Sequence, residues 1–226
     1  MLLRRHDLSR LEAFSDAVFA FALTLLVVSL EVPKSYDELM KMMSGFPAFA
    51  CCFAVLVGIW YEHNLFFRRY GLQDGYMVLL NSILLFVVMF YVYPLKFMFD
   101  SGFAHLFAWA GQGVHPMTLS QLARASAIYG LGFIAVFVMF GLLYLHAYRR
   151  RQELGLTPLE VFNIKSFAGH HMVSTAVGVV VVLIAVAAPR NYAFISPMVF
   201  SLMWPAHALY GARRDKKRKA FEAQLA

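Results

Sequence analysis

The chain has 226 residues, of which 61% are apolar and only 15% charged, with a mean hydropathy of +0.63 and a formal net charge of +7. A soluble domain is about 45–50% apolar and about 25% charged, so these proportions exclude one. The length suits a single domain of several membrane spans and leaves no room for a separate globular module.

The N-terminal MLLRRHDLSR lacks the apolar core of a signal peptide, and no small-residue cleavage site follows the first apolar run. That run is therefore expected to be a retained helix. It covers residues 10–33, RLEAFSDAVFAFALTLLVVSLEVP. A spanning helix needs roughly 20 mostly apolar residues, more than the uncharged run from Ala17 to Leu30 supplies, and Pro33 blocks extension forward. The helix must reach back across Ser15 and Asp16 towards Arg10, which leaves Asp16 about two turns inside the span. An acid there costs on the order of 2 kcal/mol or more to insert and marks a candidate functional site in need of a partner.

Six apolar segments are expected to span, near 9–32, 45–67, 75–98, 119–148, 166–188 and 192–211, giving an all-α membrane protein. The breaks carry stop signals: Pro33 with KSYDE, RRYGLQDG, FDSGFAHLFAWAGQGVHPMT, RRRQELGLTPLE and PRN. The third is amphipathic enough to lie on the membrane interface. Cys51 and Cys52 are adjacent within one apolar run, where ordinary disulfide geometry is out of reach, so both are expected to pack as thiols. The F-S-D pattern occurs once, so the chain holds one copy of the unit.

With six spans and both termini cytoplasmic, 15 of the 20 Lys and Arg residues fall inside. Only Lys34, Lys41, Lys96, Arg124 and Arg190 fall outside, as the positive-inside rule demands. The net charge is then explained without nucleic acid, and the basic tail 212–226, with its RRDKKRK, is expected to hold the last helix to anionic headgroups. The same orientation sets depth. Asp16, His63 and Asn81 fall at one level near the cytoplasmic face, with Ser15, Trp60, Glu62 and Asn64 close by. A buried hydrogen-bonded cluster joining the first three helices is the economical arrangement. Its plainest role is a structural knot; proton handling, gating, or a catalytic or metal site are the alternatives, and His63 supplies only one metal ligand.

On an ideal helix Phe14, Ala17, Phe21, Thr24, Leu25, Val28 and Val32 share one face, apolar but for a single hydroxyl. Such a stripe can face lipid, a core or a pore. No phosphate-cradling Gly-rich motif or Cys-rich metal motif is present. Neighbouring His170 and His171 point about 100° apart on a helix and read as interfacial, as His146 and His207 read as helix-end residues. None has a convincing nucleophile beside it, so no enzyme, no cofactor and no metal site are expected.

Arg10, Phe14, Ser15 and Asp16 form R-x3-F-S-D followed by V-F-A-F-A-x-T-L-L, Trp60 and His63 lie in W-Y-E-H-N-L-F-F, and Asn81 lies in L-L-N-S-I-L-L-F ahead of Pro94. Over roughly the first hundred residues this closely resembles the lysosomal potassium channel family, transmembrane protein 175, in its single-repeat prokaryotic form. The resemblance implies one six-helix channel domain over 1–226, multi-pass in the cell membrane and assembled as a homo-tetramer, with the first helix, 9–32, lining a central pore. It implies passive, potassium-favouring permeation of monovalent cations without a T-V-G-Y-G filter. By position after F-S-D, the constriction falls on Phe21, a hydroxyl ring on Thr24, and further apolar rings on Leu25 and Val28. Arg10, Phe14, Ser15, Asp16, Trp60, His63 and Asn81 correspond to a structural polar network. Phe21 departs from the family's usual isoleucine or leucine; four rings there seal the pore, offer faces that attract a cation by about 0.5–2 kcal/mol, or turn aside and leave Leu25 as the narrowest point. A proton-coupled transporter using the Asp/His cluster, or a non-conducting membrane scaffold, are the other function classes.

Overall fold

The computed structural model describes residues 9–28, 32–106, 117–192 and 194–225, and among them every regular element is a helix. Helix α1 is Arg10–Val28, α2 is Tyr36–Ser44, α3 is Phe46–Tyr70 and α4 is Gly75–Leu106. Helix α5 is Leu119–Arg149, α6 is Pro158–Ala187, α7 is Ile195–Met198 and α8 is Met203–Leu225. Five of these, α1 and α3 to α6, contain segments long and apolar enough to cross a membrane.

Local chemistry fixes most of the boundaries. Helix α1 starts with a capping box: the Glu12 N–H donates to Ser9 Oγ at 3.1 Å and the Ser9 N–H donates to Glu12 Oε2 at 2.9 Å. Its expected end at 32 cannot be followed, because residues 29–31 lie outside the described residues, and Val32 and Pro33 are not helical. Helix α2, capped by Ser35, occupies a stretch expected to be a plain break. Helix α3 stops at Gly71, whose φ of 58° is left-handed and whose N–H returns to the Phe67 carbonyl at 2.8 Å.

Helix α4 is 32 residues long, about 48 Å at 1.5 Å per residue, and so outruns a bilayer core of about 30 Å. It passes the expected end at 98 into the segment read as interfacial; residues 107–116 of that segment lie outside the described residues. Helix α6 begins eight residues before the expected 166, because Thr157 and Glu160 form a capping box across T-P-L-E, as Thr118 and Gln121 do at the start of α5.

The sixth apolar stretch, 192–211, is not one regular helix. The chain runs through α7, a 3-10 turn at Val199–Leu202 and then α8, which continues through the basic residues to Leu225. Pro205 has no N–H to offer the Ser201 carbonyl, and the Ser201 hydroxyl donates to the Met198 carbonyl at 2.7 Å. Both loosen the regular ladder at the junction.

The core lies among α1, α3, α4 and α5, around Phe66, Phe67, Leu84, Phe140 and Tyr144. The α5–α6 pair makes the most extensive helix contact. It is drawn close by Gly130 and Gly178, small residues that let two helix backbones approach. A Cβ at Gly130 would lie 2.7 Å from Cγ2 of Val182, a β-branched side chain with little rotamer freedom. At the end of the bundle Asp74 joins two helices. Its Oδ1 caps α4 by accepting the Met77 N–H at 3.0 Å, and its Oδ2 meets His146 Nε2, in the last turn of α5, at 2.7 Å.

Gly130→Ala is expected to overpack the α5–α6 contact and cost about 1–3 kcal/mol, read as a lower thermal midpoint of the detergent-solubilised protein. Burial alone would raise the Asp74 carboxyl. The His146 hydrogen bond, the Met77 N–H and the charges of His146 and Arg150 outweigh it and hold the group below its ordinary value. A carboxyl depressed by folding stabilises above its unfolded pKa, about 3.9, and that contribution fades as pH falls through the folded value. Thermal midpoints measured between pH 5 and pH 3 should therefore fall more steeply in the wild type than in Asp74→Asn.

Candidate functional site: the two faces of the first helix

Helix α1 has one face turned into the protein and one turned out of it. Glu12, Ser15, Phe19, Ala22 and Leu26 are buried, at the three- and four-residue spacing of a single helical stripe. On the other side Phe14, Ala17, Phe21, Thr24 and Val28 are exposed and Leu25 is half-buried, with Phe21 at 52% and Val28 at 71% exposure. The Thr24 hydroxyl donates to the Ala20 carbonyl at 2.9 Å. Its proton is used within the helix, and its oxygen remains an acceptor on an otherwise apolar face.

The buried face ends in a chain of hydrogen bonds. The Ser15 hydroxyl donates to the Leu11 carbonyl at 2.8 Å, and its oxygen accepts the Asn81 side-chain N–H at 2.9 Å. The Asn81 carbonyl oxygen then meets Nε2 of His63 at 2.7 Å. An amide oxygen only accepts, so Nε2 carries the proton. The order runs from α1 to α4 to α3, and Ser15, His63 and Asn81 are all buried. Phe19 and Phe67 flank the imidazole, at 5.4 and 4.6 Å between ring centroids.

Beside this chain the Trp60 indole N–H donates to Asp16 Oδ1 at 2.8 Å. A donor to a carboxylate forms a charge-assisted bond, roughly twice as strong as one between neutral groups. Asp16 thus has its partner on α3, one turn before His63.

The structure therefore brings Ser15, Asp16, Trp60, His63 and Asn81 together through side-chain bonds between three helices. Arg10 and Phe14 are exposed and stand outside those bonds, because they project from the other side of α1. Glu62 and Asn64 are half-buried on α3 and also lie outside the chain of bonds. Glu12, which sequence reasoning did not single out, is buried on the same stripe as Ser15; the S-x-x-E spacing from Ser9 is the signal that marks it.

The remaining histidines divide. His146 sits at a helix end against Asp74. His171 is buried, stacked on Phe140 at 5.0 Å between centroids, and not interfacial as expected. His170 and His207 bring α6 against α8 with centroids 3.9 Å apart, and His207 Nε2 lies 3.0 Å from the Ser174 hydroxyl. Cys51 and Cys52 are free thiols, the second fully buried.

Comparison with known proteins places this arrangement. The family model described as endosomal/lysosomal potassium channel TMEM175 matches residues 10–91, which hold both the exposed stripe of α1 and the polar chain. A potassium channel of Marivirga tractuosa is 35% identical over 225 residues, covering 93% of this chain and 89% of that protein. A potassium channel of Chamaesiphon minutus is 29% identical over 149 residues, covering 62% and 66%. The crystal structure of the potassium channel MtTMEM175, solved as a variant with a nanobody–MBP fusion protein, superposes with a TM-score of 0.85 at 33% identity. It covers 95% of this chain and 97% of the other. A lysosomal potassium-selective channel TMEM175 homologue from Chamaesiphon minutus superposes with a TM-score of 0.52 at 25% identity. On this similarity, spread over nearly the whole chain, the protein belongs to the TMEM175 potassium channel family.

Proposed function

We infer that the protein is a passive potassium channel in which α1 of each subunit contributes one wall of a shared pore. The observation that carries this reading is the exposed stripe Phe14, Phe21, Thr24 and Val28 on a helix whose opposite face is locked to α3 and α4. One helix cannot enclose a path for an ion, so conduction requires several copies around an axis. The proposal is a homo-tetramer, with Phe21 as the constriction, Thr24 as a ring of oxygen acceptors for the ion, and Leu25 and Val28 as further apolar rings. An apolar constriction gates partly by dewetting, so opening widens it or wets it.

The proposed topology has six crossings in the cell membrane and cytoplasmic termini. The helical path over residues 195–211 extends about 27 Å at α-helical and 3-10 rises, close to the thickness of a bilayer core. With that path as the sixth crossing, Arg69, Arg149 to Arg151, Lys165 and the basic part of α8 fall on one side. Permeation down an electrochemical gradient needs no cofactor and no chemical step, so the protein acts as a conduit and not as an enzyme. In this arrangement the Ser15–Asn81–His63 chain and the Asp16–Trp60 bond hold the cytoplasmic end of the pore helix in place.

Flux through purified protein in liposomes carrying a potassium gradient tests the reading directly. Wild type should pass potassium in preference to sodium, and Phe21→Ala and Thr24→Ala should raise the flux or lower that preference. No flux in any of the three, from protein shown to be folded and oligomeric, would refute it. Asn81→Leu leaves Ser15 and His63 without their partner, at a cost of about 1–3 kcal/mol for each buried group left unsatisfied. It should reduce the yield of assembled oligomer on size exclusion more than the unitary current of the channels that remain.

A further inference from the structure

Arg69 in the last turn of α3 and Arg214 in α8 converge on one aromatic ring. Their guanidinium carbons lie 4.6 and 4.8 Å from the ring centroid of Phe167 on α6. Cation–π attraction of about 0.5–2 kcal/mol holds each to the ring, yet the two like charges repel, and among the described residues neither forms an ion pair. Glu62, whose charge reaches Arg69, lies two turns back along α3 and does not bridge to it.

Most of their donors are unspent, although Arg69 also faces the buried Tyr144 hydroxyl. Nε and Nη1 of Arg69 and Nε of Arg214 are buried without a hydrogen bond, and Arg214 Nη2 makes only a long contact, 3.4 Å, to Oδ1 of Asn163. A buried donor left unpaired carries its full desolvation cost, more for a charged group than for a neutral one. The surroundings add more positive charge: Lys165 and Arg151 both lie over Tyr148, at 5.0 and 4.6 Å, and Arg213, Lys216 and Lys217 are exposed on α8. The unmet requirement is thus an anion with several oxygen acceptors, and the guanidinium fork matches phosphate geometry.

We propose that Arg69 and Arg214 form a binding site for a phosphate group, supplied by the headgroup of an anionic phospholipid at this end of α3, α6 and α8. The site rests on the membrane-spanning reading but not on conduction. A bound headgroup neutralises the pair and ties α8 to α3 across Phe167. It also differs from general attraction of the basic tail to a charged surface, because it uses two partly buried arginines from separate helices.

The test is thermal stabilisation of the purified full-length oligomer in neutral detergent by added phosphatidylglycerol, phosphatidylcholine or inorganic phosphate. Phosphatidylglycerol should raise the midpoint and phosphatidylcholine should not. Arg69→Gln and Arg214→Gln should each weaken the apparent affinity at least tenfold, Arg214→Lys should weaken it less than Arg214→Gln, and Lys216→Gln with Lys217→Gln should leave it unchanged. Should Arg69→Gln fail to fold, Arg214→Gln decides alone. Stabilisation by inorganic phosphate that depends on the same arginines would support the phosphate site and assign it to a free anion in place of a lipid. Equal stabilisation of wild type and Arg214→Gln, or loss of the effect in the Lys216 and Lys217 variant, would overturn the proposal. So would the absence of any stabilisation by either phosphate source. Liposome flux is not part of the readout, so a failure here leaves the channel reading standing and the reverse also holds.

Discussion

Inside a bilayer no water is at hand to satisfy a stray donor or acceptor, so a polar group between packed helices is costly unless it finds a partner. Between α1, α3 and α4 that demand is met by one short sequence of bonds, from the Leu11 carbonyl through Ser15 and Asn81 to His63. Each member has a neighbour of the right kind. Removing one leaves the next exposed to a nonpolar surround, which is why three helices that share mostly interchangeable apolar surface nevertheless have a defined mutual position. Asp16, held by the Trp60 indole N–H, adds a second link between α1 and α3.

The shared level of these polar groups along the bundle was legible in the sequence, because counting turns along each helix determines it. Counting turns from either end of three segments placed Asp16, Ser15, Trp60, His63 and Asn81 on one level. The direction in which each side chain leaves its helix is harder to read. Arg10 and Phe14 sit in the same motif as Asp16 but emerge on the other side of α1, away from the hydrogen-bonded group. Helix starts were encoded as well, in S-x-x-E before α1 and T-x-x-E before α6, but an apolar run draws attention to its own first residue and hides the cap ahead of it.

The rest was out of reach for a different reason. Arg69, Phe167 and Arg214 come from three separate helices, and no local pattern announces that they meet. The same holds for Asp74 and His146, and for Gly130 beneath Val182. The stretch 192–211 has the composition of a regular span, yet Pro205 and the Ser201 hydroxyl loosen its backbone at Val199–Leu202. Composition reports what a segment prefers to be surrounded by; it does not report whether its hydrogen-bond ladder is continuous.

The lock on the inner face of α1 also restricts how that helix can move. A spin about its own axis would carry Ser15 away from Asn81 and Asp16 away from Trp60 together, exchanging paired polar groups for unpaired ones in a nonpolar medium. The helix is therefore geared to α3 and α4, and torsion of α1 by itself breaks both links. A rigid tilt or sideways shift of the α1–α3–α4 unit keeps every bond intact while altering the distance from Phe21 to whatever lies opposite. In the proposed pore, a change of aperture along this face would then be a lever motion of the whole α1–α3–α4 unit and not the rotation of one rod.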